Sequence, residues 1–392
     1  MSEKKQKILI VHNYYQIPGG EDTVVANEKK MLEDHGHEVV LYTRHNSELK
    51  SLAKAKKLLL PFSTVFNFRT YREVKKIIRE KKIDIVHVHN TLNLISPSVY
   101  YAAFSCRVPV VQTIHNFRLL CPGATFYRDE HICEDCLTKG LGCAVKHSCY
   151  RESKIQTLAC VISTWFHRTI GTYGRLNYIC LTAFNREKLL QLKQIKEDSV
   201  YIKPNFVTKA KEVVPYNERK KQFVYMGRLD KLKGIDFLLE TWKEFDANEY
   251  KLVICGTGPL EEWCRNYIER NQLKNVELKG FVENRIARKI IGESKALILP
   301  TQWYEGFPMT IVESYSVGTY VLGSDLGNTG SLIEEKKSGW KFAVNSKKEL
   351  CEAFEKVINA EGGLESSYIE KYSEENNYKQ LRNIYETCCN HN

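Results

Sequence analysis

The chain has 392 residues, of which 43% are apolar and 27% charged, with a formal net charge of +11. This length suits two or three globular domains, and the balanced composition excludes a disordered or fibrous chain. No run of eighteen apolar residues occurs, and the first apolar run, residues 8–11, is too short for a signal peptide. We therefore expect no transmembrane helix and no secretion, and thirteen cysteines then indicate reduced thiols in a cytoplasmic protein.

Short β-rich runs separated by helical patterns fill the first half of the chain. The predicted strands are residues 8–12, 39–42, 83–87 and 108–114, with helices such as 24–35 and 71–82 between them. Strands that alternate with helices predict an α/β domain with a parallel sheet and crossover helices.

Two segments of this half follow predicted strands and contain residues suited to ligand binding. Gly19 and Gly20 come shortly after the first strand, where two glycines let the backbone approach a ligand or simply form a surface turn. His115 ends the fourth strand and is followed by Asn116. A histidine at a strand end is either a ligand contact or a half-buried residue with internal partners.

A basic segment runs from residue 44 to residue 82, with twelve lysines or arginines against three acids. It is interrupted by the apolar run 58–62. Basic residues beside apolar ones can dock on an anionic membrane surface, although a solvated helix face gives the same pattern.

Cysteines are concentrated in a predicted insertion at residues 121–150. Its cysteines are Cys121, Cys133, Cys136, Cys143 and Cys149. The Cys-x2-Cys spacing of Cys133 and Cys136 is typical of structural zinc sites, which an insertion without its own core would need in order to fold. The predicted ligands are Cys121, Cys133, Cys136 and Cys149, with Cys143 as the competing fourth ligand. Buried free thiols are the alternative, and a disulfide is disfavoured in a reducing compartment.

The second half of the chain repeats the strand–helix pattern after Pro204-Asn205. Its predicted strands are residues 223–226, 252–255, 276–278, 297–299 and 320–322, and each ends at Gly or Pro. Ligands of such sheets bind at the turns after the strands. Arg228 and Lys233 follow the first of these strands, where two cations can neutralise a diphosphate or simply flank an exposed loop.

Two glutamates eight positions apart follow the strand at 297–299. Eight residues is about 2.2 helical turns, so Glu305 and Glu313 are expected on roughly one side of a helix. Gly306 allows close backbone approach, and the helix N-terminus after it can hold an anion. The carboxylates would then accept hydrogen bonds from neutral hydroxyls, as in a nucleotide-sugar pocket.

This segment resembles the Glu-x7-Glu motif of the retaining glycosyltransferases of family 4, which have the GT-B fold. Other segments resemble further motifs of that family in the same order: Gly19-Gly20, Thr-Ile-His115-Asn116, Gly227-Arg228 to Lys233-Gly234, Gly256-Thr-Gly258, Gly280-Phe281-Val282, and a late Gly-rich loop with its following helix from Asp325 to Gly339. Asn116 stands where the family usually has Asp, and Asn cannot act as a base. The resemblance covers residues 7–390.

The resemblance implies a donor site and a catalytic set. The implied catalytic residues are Glu305, His115, Lys233 and Arg228. The implied donor-binding residues are Gly19, Gly20, Gly227, Arg228, Lys233, Gly256, Gly258, Phe281, Val282, Gly306, Phe307, Met309 and Glu313. Glu313 would bind the ribose and Glu305 the sugar, while Phe281-Val282 would meet the base.

The resemblance also implies two Rossmann-like domains facing a cleft. The expected divisions are an acceptor-side domain at 1–204, a nucleotide-sugar domain at 205–375, and a helix at 376–392 that returns to the first domain. The expected activity is retaining transfer of a hexose from a UDP- or GDP-sugar to a glycan or lipid-linked acceptor, in cell-surface polysaccharide synthesis. No Asp-x-Asp pair occurs in the donor half, so no catalytic metal is expected.

The expected location is the cytoplasm, with peripheral contact at the inner face of the plasma membrane. Two other functions share some of these features. A GT-B-fold nucleotide-sugar epimerase would need further acid/base carboxylates. A zinc-containing polyanion-binding protein would fit the basic pI of 8.9 and the cysteines. Binding of nucleic acid is not expected, because aromatic residues do not interleave the basic segment.

Overall fold

The computed structural model describes residues 5–16, 19–51, 60–208, 210, 212–247 and 249–390. The basic segment at 44–82 is thus described except at 52–59, which include part of its apolar run. The described chain divides into two compact units. Unit 1 extends to Pro204 and resumes at Tyr378, and unit 2 is Asn205–Asn377.

Unit 1 is built on a six-stranded parallel sheet. Its strands are β1 (Lys7–Tyr14), β2 (Glu38–His45), β3 (Ile85–Asn90), β4 (Val110–Ile114), β7 (Asn177–Cys180) and β8 (Val200–Ile202), in the order β2-β1-β3-β4-β7-β8. The short strands β5 (Tyr127–Arg128) and β6 (His131–Ile132) pair separately as an antiparallel hairpin.

Helices connect these strands. They are α1 (Gly20–Asp34), α2 (Glu48–Ser51), α3 (Leu60–Val65), α4 (Phe68–Lys81), α5 (Ser98–Ser105), α6 (Asp135–Thr138), α7 (Gly142–Lys146), α8 (Lys154–Thr169) and α9 (Ala183–Leu189). Two of the long helices begin at side-chain caps: Asn67 accepts from the Thr70 amide at α4, and Ser153 accepts from the Gln156 amide at α8. These caps fix where each helix leaves its loop.

Unit 2 is built on a second six-stranded parallel sheet. Its strands are β9 (Gln222–Met226), β10 (Lys251–Cys255), β11 (Val276–Gly280), β12 (Ala296–Leu299), β13 (Tyr320–Ser324) and β14 (Gly339–Phe342), in the order β11-β10-β9-β12-β13-β14. The helices are α10 (Ile235–Glu244), α11 (Glu261–Arg270), α12 (Asn284–Gly292), α13 (Met309–Ser316), α14 (Gly327–Leu332), α15 (Lys347–Ile358) and α16 (Ser366–Lys371). The last helix, α17 (Glu374–Asn390), begins in unit 2 and continues into unit 1.

The central strand of unit 2 shows why the sequence forms a doubly covered sheet. All five residues of β9 are buried. Phe223 and Tyr225 pack into one apolar cluster, while Val224 and Met226 pack into another. A strand with helices on both faces needs apolar residues at successive positions, which is what this run supplies.

The prediction of two α/β domains with parallel sheets is confirmed, and the ends of the elements differ by a few residues. Five strands were not predicted, namely β5, β6, β7, β8 and β14, because each has only two to four residues. None of the helices described is long and apolar enough to cross a membrane.

Candidate donor and acceptor sites

The turns after β9, β10 and β11 are joined through their backbones. The Gly227 amide donates to the Cys255 carbonyl at 3.1 Å, and the Gly256 amide donates to the Gly280 carbonyl at 2.7 Å. Gly256 has φ +141°, and a Cβ there would overlap the Gly227 carbonyl oxygen. Glycine at 256 is therefore required by both conformation and space.

These turns line an open pocket at the carboxyl ends of the strands. The pocket brings together six of the predicted donor-binding residues: Gly227, Arg228, Gly256, Gly258, Phe281 and Val282. Phe281 is 75% exposed, which leaves a large aromatic face uncovered in the described chain. Such a face suits stacking against a planar ring.

Lys233 and Glu305 form an ion pair beside this pocket. The Lys233 Nζ lies 2.6 Å from Glu305 Oε1, and Glu305 is buried. The same oxygen accepts from Thr301 Oγ1 and Trp303 Nε1, each at 3.1 Å. A buried carboxylate with a cation and two further donors is held firmly in one orientation.

The backbone on either side of this ion pair is also fixed. Gly234 follows Lys233 with φ +67°, and a Cβ there would overlap the Pro300 carbonyl oxygen. The Asn328 amide side chain donates to the carbonyls of Glu305 at 2.6 Å and Gly306 at 2.7 Å. Helix α14, within the predicted segment 325–339, therefore supports the turn that carries Glu305.

The two predicted glutamates do not share a helix. Helix α13 begins at Met309, so Glu305 lies in the preceding loop while Glu313 lies within the helix. The inference that helical spacing places both on one side was wrong, because Pro308 occupies the N-cap position and the turn at 305–308 is not helical. Gly306 and Phe307 belong to that turn, and Met309 is the first helical residue.

Glu313 and Arg228 have partners of their own. Glu313 Oε1 accepts from Asn284 Nδ2 at 2.8 Å, a contact across 29 residues that the sequence did not indicate. Arg228 is largely exposed, and its Nε lies 3.3 Å from Asp230 Oδ2. The guanidinium can therefore turn toward a ligand with little loss of packing.

In unit 1, Gly19 and Gly20 form the start of α1. The Gly19 amide donates to Asp22 Oδ2 at 3.0 Å, and Asp22 Oδ1 lies 2.7 Å from His12 Nε2. The predicted glycine loop therefore ends in a turn that Asp22 fixes to strand β1.

His115 lies at the end of a buried histidine chain in unit 1. Its Nε2 is 2.9 Å from His89 Nδ1, and His89 Nε2 is 3.4 Å from Glu28 Oε1. Burial, followed by the charge of His89, holds the pKa of His115 well below its usual range. His115 is thus neutral at physiological pH, and a neutral imidazole can both donate and accept a hydrogen bond.

Glu28 lies at the centre of this network of buried side chains and contacts both His87 and His89. It pairs with Lys203 at 3.1 Å and lies 3.0 Å from His87 Nδ1. Burial acts to raise the pKa of Glu28, but Lys203 and His87 hold it well below its usual range. The ligand atoms of Glu28, His87 and His89 also lie within 4.8 Å of one another. Among the residues described, this is the one group of three potential metal ligands that lie so close together.

Glu21 follows Gly20 in helix α1 and is a titratable residue that no sequence motif singled out. Its carboxylate accepts from Tyr15 Oη at 3.0 Å. Burial raises the pKa of Glu21 to about 8, with a smaller contribution from the charge of Asp22. No spacing rule could have identified this residue, because its shift comes from the packing around it.

We expect the stability of unit 1 to depend on Glu21 between pH 4.5 and 8. The folded pKa of about 8 exceeds the ordinary value of 4.5, so the folded state holds a proton that the unfolded state releases. The free energy of unfolding should fall as pH rises through this window, by at most about 1.4 kcal/mol for each unit of pH. Glu21→Gln should remove that decline in denaturant titrations at pH 5, 6.5 and 8. The exposed Glu33→Gln of the same helix is the matched control, and equal slopes in all three proteins would contradict the assignment.

The predicted zinc ligands lie in one segment of unit 1. The pKa of Cys121 is lowered to about 6, mainly by a hydrogen bond with Cys136, although burial opposes the shift. The backbone amides of Phe126, Gly123 and Ala124 also donate to the Cys121 sulfur and lower its pKa further. Cys121 and Cys149 both lie next to Gly123. A Cβ added to Gly123 would be 3.6 Å from Cys121 Sγ and 3.4 Å from Cys149 Cβ. Cys133 and Cys143 are half-buried nearby in the chain, and none of the thirteen cysteines, all of which lie in the described part of the chain, forms a disulfide. The four predicted sulfurs therefore share a region but are not gathered as tightly as the Glu28 group.

Comparison with known proteins decides the family. Residues 18–211 match the model described as Glycosyltransferase Family 4, and residues 206–376 match the model described as Glycosyl transferases group 1. The chain belongs to the family 4/group 1 glycosyltransferases.

Relatives and solved structures agree with this family. The chain is 22% identical to phosphatidyl-myo-inositol mannosyltransferase of Mycolicibacterium smegmatis, over 95% of this chain and 91% of the relative. The structure of the lipopolysaccharide outer core galactosyltransferase WaaB matches with TM-score 0.68 and 17% identity, covering 97% of this chain and 99% of WaaB. Anabaena HepE in complex with UDP and glucose matches with TM-score 0.61 and 14% identity, covering 97% of this chain and all of HepE. The glycosyltransferase therefore has the GT-B fold, and these matches do not favour the epimerase or polyanion-binding alternatives.

Proposed function

We propose that this glycosyltransferase transfers a hexose, with retention of configuration, from a nucleotide diphosphate sugar to a glycan or lipid-linked acceptor in cell-surface polysaccharide synthesis. The observation that carries the proposal is the pocket after β9–β11 in unit 2, with the Lys233–Glu305 ion pair beside it. The UDP and glucose bound to HepE, and the mannosyl and galactosyl transfer in the names of the other two proteins, support the donor class. UDP- and GDP-sugars both fit.

Predicted site residues of unit 2 are given roles that their positions support. Arg228 and Lys233 supply positive charge to the diphosphate, whose negative charge grows as the bond to the sugar breaks. The amides of Phe307 and Met309 add donors at the start of α13. Glu313, half-buried and oriented by Asn284, accepts from the ribose hydroxyls.

Glu305 is assigned to the sugar. Three donors occupy its Oε1, so its Oε2 is the oxygen assigned to the sugar hydroxyls. The catalytic contribution is orientation and charge stabilisation rather than covalent chemistry, since the leaving phosphate can itself take the proton of the acceptor. No metal is needed for this scheme, in keeping with the lack of an Asp-x-Asp pair in the donor half.

Gly19, Gly20 and His115 belong to unit 1, and their roles rest on the resemblance. The glycine turn would contact the donor phosphate and the acceptor. His115 is neutral, so it would act near the transferred sugar as a hydrogen-bonding group. The protein would work in the cytoplasm, at the inner face of the plasma membrane.

The proposal is tested by a thermal-shift screen of UDP- and GDP-sugars followed by product analysis. A bound donor at about 100 times its dissociation constant stabilises the folded state by roughly 2.7 kcal/mol. The donor so identified should yield free nucleoside diphosphate and a glycosylated acceptor. Conversion to an epimeric nucleotide sugar would favour the epimerase alternative, and no shift with any nucleotide sugar would overturn the donor assignment.

We also propose a structural zinc ion held by Cys121, Cys133, Cys136 and Cys149. Backbone amides of Gly123, Ala124 and Phe126 donate to the Cys121 sulfur, which is the environment that a thiolate ligand requires. The segment from 121 to 150 contains only two-residue strands and helices of four or five residues. Metal binding would supply the stability that such short elements lack.

We expect purified protein from zinc-supplemented cells to contain about one zinc per chain. Chelation should increase hydrogen exchange within residues 121–150 and leave the exchange of unit 2 unchanged, because the two have separate cores. Elemental analysis and exchange mass spectrometry measure both. Cys133→Ser should lose the metal, whereas Cys106→Ser, outside the segment, should retain it. Metal-free protein with freely titratable thiols in this segment would show that these cysteines only pack.

A further inference from the structure

Helix α8 carries an apolar stripe on its solvent-facing side. Its members are exposed residues on an approximately helical spacing: Ile155, Leu158, Ile162, Trp165 and Phe166. Ile155 is 75% exposed and Trp165 is 58% exposed. Contiguous exposed apolar surface of this kind marks an interaction site rather than ordinary surface composition.

The opposite side of α8 is firmly packed, so the stripe is not the result of a loosely placed helix. Thr157, Cys160 and Thr164 are buried there. Ser163 Oγ donates to the Thr64 carbonyl at 3.2 Å, and His167 Nε2 lies 2.9 Å from the Val65 carbonyl oxygen. These contacts join α8 to α3 and leave the apolar side as a fixed surface.

The apolar surface extends to two neighbouring elements. Phe62 on α3 is 74% exposed, and Phe68 at the start of α4 is 71% exposed. Helix α4 continues from Phe68 with an excess of positive charge. It contains Arg69, Arg72, Lys75, Lys76, Arg79 and Lys81 against Glu73 and Glu80. Exposed aromatic residues next to a cationic helix are complementary to an anionic lipid surface.

A groove next to the stripe also suits lipid. It lies between α3 and α8 and is lined mainly by apolar residues, including Leu60, Pro61, Ile155 and Ala159. It shares Thr64 and Cys160 with a more polar pocket that contains His115 and Arg118. An apolar groove that borders a polar pocket matches the two ends of an amphiphile, and a flat protein partner would need neither.

We propose that α3, the start of α4 and the exposed side of α8 form the surface by which unit 1 docks on an anionic bilayer. The inference rests on the peripheral location given under the proposed function and specifies the residues that provide it. Trp165 and the phenylalanines enter the interfacial region, while the cations of α4 contact lipid phosphates. Raised salt should weaken the attraction, because the cations are exposed.

Vesicle flotation tests the surface without any nucleotide sugar. The full-length protein should float with vesicles of phosphatidylcholine and phosphatidylglycerol in equal parts, and not with phosphatidylcholine alone. Ile162→Ser combined with Trp165→Ser should weaken binding to the mixed vesicles about tenfold or more. Ile202→Ser is the matched control, since Ile202 is 47% exposed and Ile162 is 44% exposed in the same unit. The control should bind like the wild type.

Two further measurements keep the outcomes distinct. Lipids brominated in their acyl chains should quench the fluorescence of the wild type, and Trp165→Phe should remove that quenching. Thermal shift with the donor sugar should be unchanged in the surface variants, so loss of vesicle binding would not be confused with loss of donor binding. Equal flotation of the wild type and the Ile162/Trp165 variant would overturn the proposal. So would a wild-type dimer that this double substitution dissociates, which would assign the surface to a second copy of the chain.

Discussion

Replacing Lys233 with alanine is expected to lower the rate of sugar transfer by about 10²–10³-fold, the usual effect of removing one electrostatic contact to a leaving group. Arg228→Ala should fall in the same range. Steady-state release of nucleoside diphosphate measures both. Lys233 has a second role in the structure, as the cation on buried Glu305, so its removal should also lower the melting temperature by a few degrees.

Lys231→Ala is the matched control for this prediction. Lys231 is exposed in the same short 3₁₀ turn, Lys231–Lys233, and nothing assigns it to the diphosphate. Its loss should leave turnover close to the wild-type value. Near-wild-type transfer by Lys233→Ala or by Arg228→Ala would disprove the charge assignment for that residue.

The two glutamates of the Glu-x7-Glu segment are expected to separate binding from catalysis. Glu313→Ala should weaken the affinity for nucleoside diphosphate by about 10–100-fold, since hydrogen bonds to a charged group contribute about 1.5–3 kcal/mol. Glu305→Ala should lower kcat by about 10²-fold or more with a smaller change in KM, because contacts to the sugar strengthen as its ring gains positive charge. Calorimetry with the nucleotide and steady-state kinetics with the full donor measure the two effects.

Glu305→Gln separates the effect of the negative charge of Glu305 on the transfer rate from the effect of the shape of its side chain. The amide retains an oxygen for Thr301 and Trp303 but loses the ion pair with Lys233. If this variant transfers sugar as slowly as Glu305→Ala, charge is the essential property. Unchanged nucleotide affinity in Glu313→Ala would show that Glu313 does not bind the ribose.

Much of the candidate donor site in unit 2 was predictable because its geometry depends on local patterns. Parallel strands place the turns after them along one edge, so glycines after the predicted strands at 223–226, 252–255 and 276–278 were expected to lie together. The structure places Gly227, Gly256 and Phe281 around one pocket. The family-level prediction is confirmed by the matches to known glycosyltransferases.

What the sequence could not predict depends on residues far apart in the chain. Glu28 and Lys203 are 175 residues apart, and neither belongs to a recognised pattern, yet they form a buried ion pair. The donors on Glu305 and the Asn284 contact of Glu313 are likewise tertiary. The misplaced helical start at 305 has a local cause, because Pro308 delays the helix until Met309.

The return of the last helix to unit 1 has a consequence for synthesis of the chain. His37 Nε2 lies 3.0 Å from Tyr378 Oη, and His87 Nδ1 lies 2.7 Å from Tyr385 Oη, so α17 supplies partners to two buried histidines of unit 1. Both tyrosines are synthesised after the whole of unit 2. Unit 1 is begun first but can complete its core only after α17 has emerged, whereas unit 2 can complete its own as soon as Asn377 has emerged. Nascent chains stalled before Tyr378 would therefore present a folded second unit behind an unfinished first one.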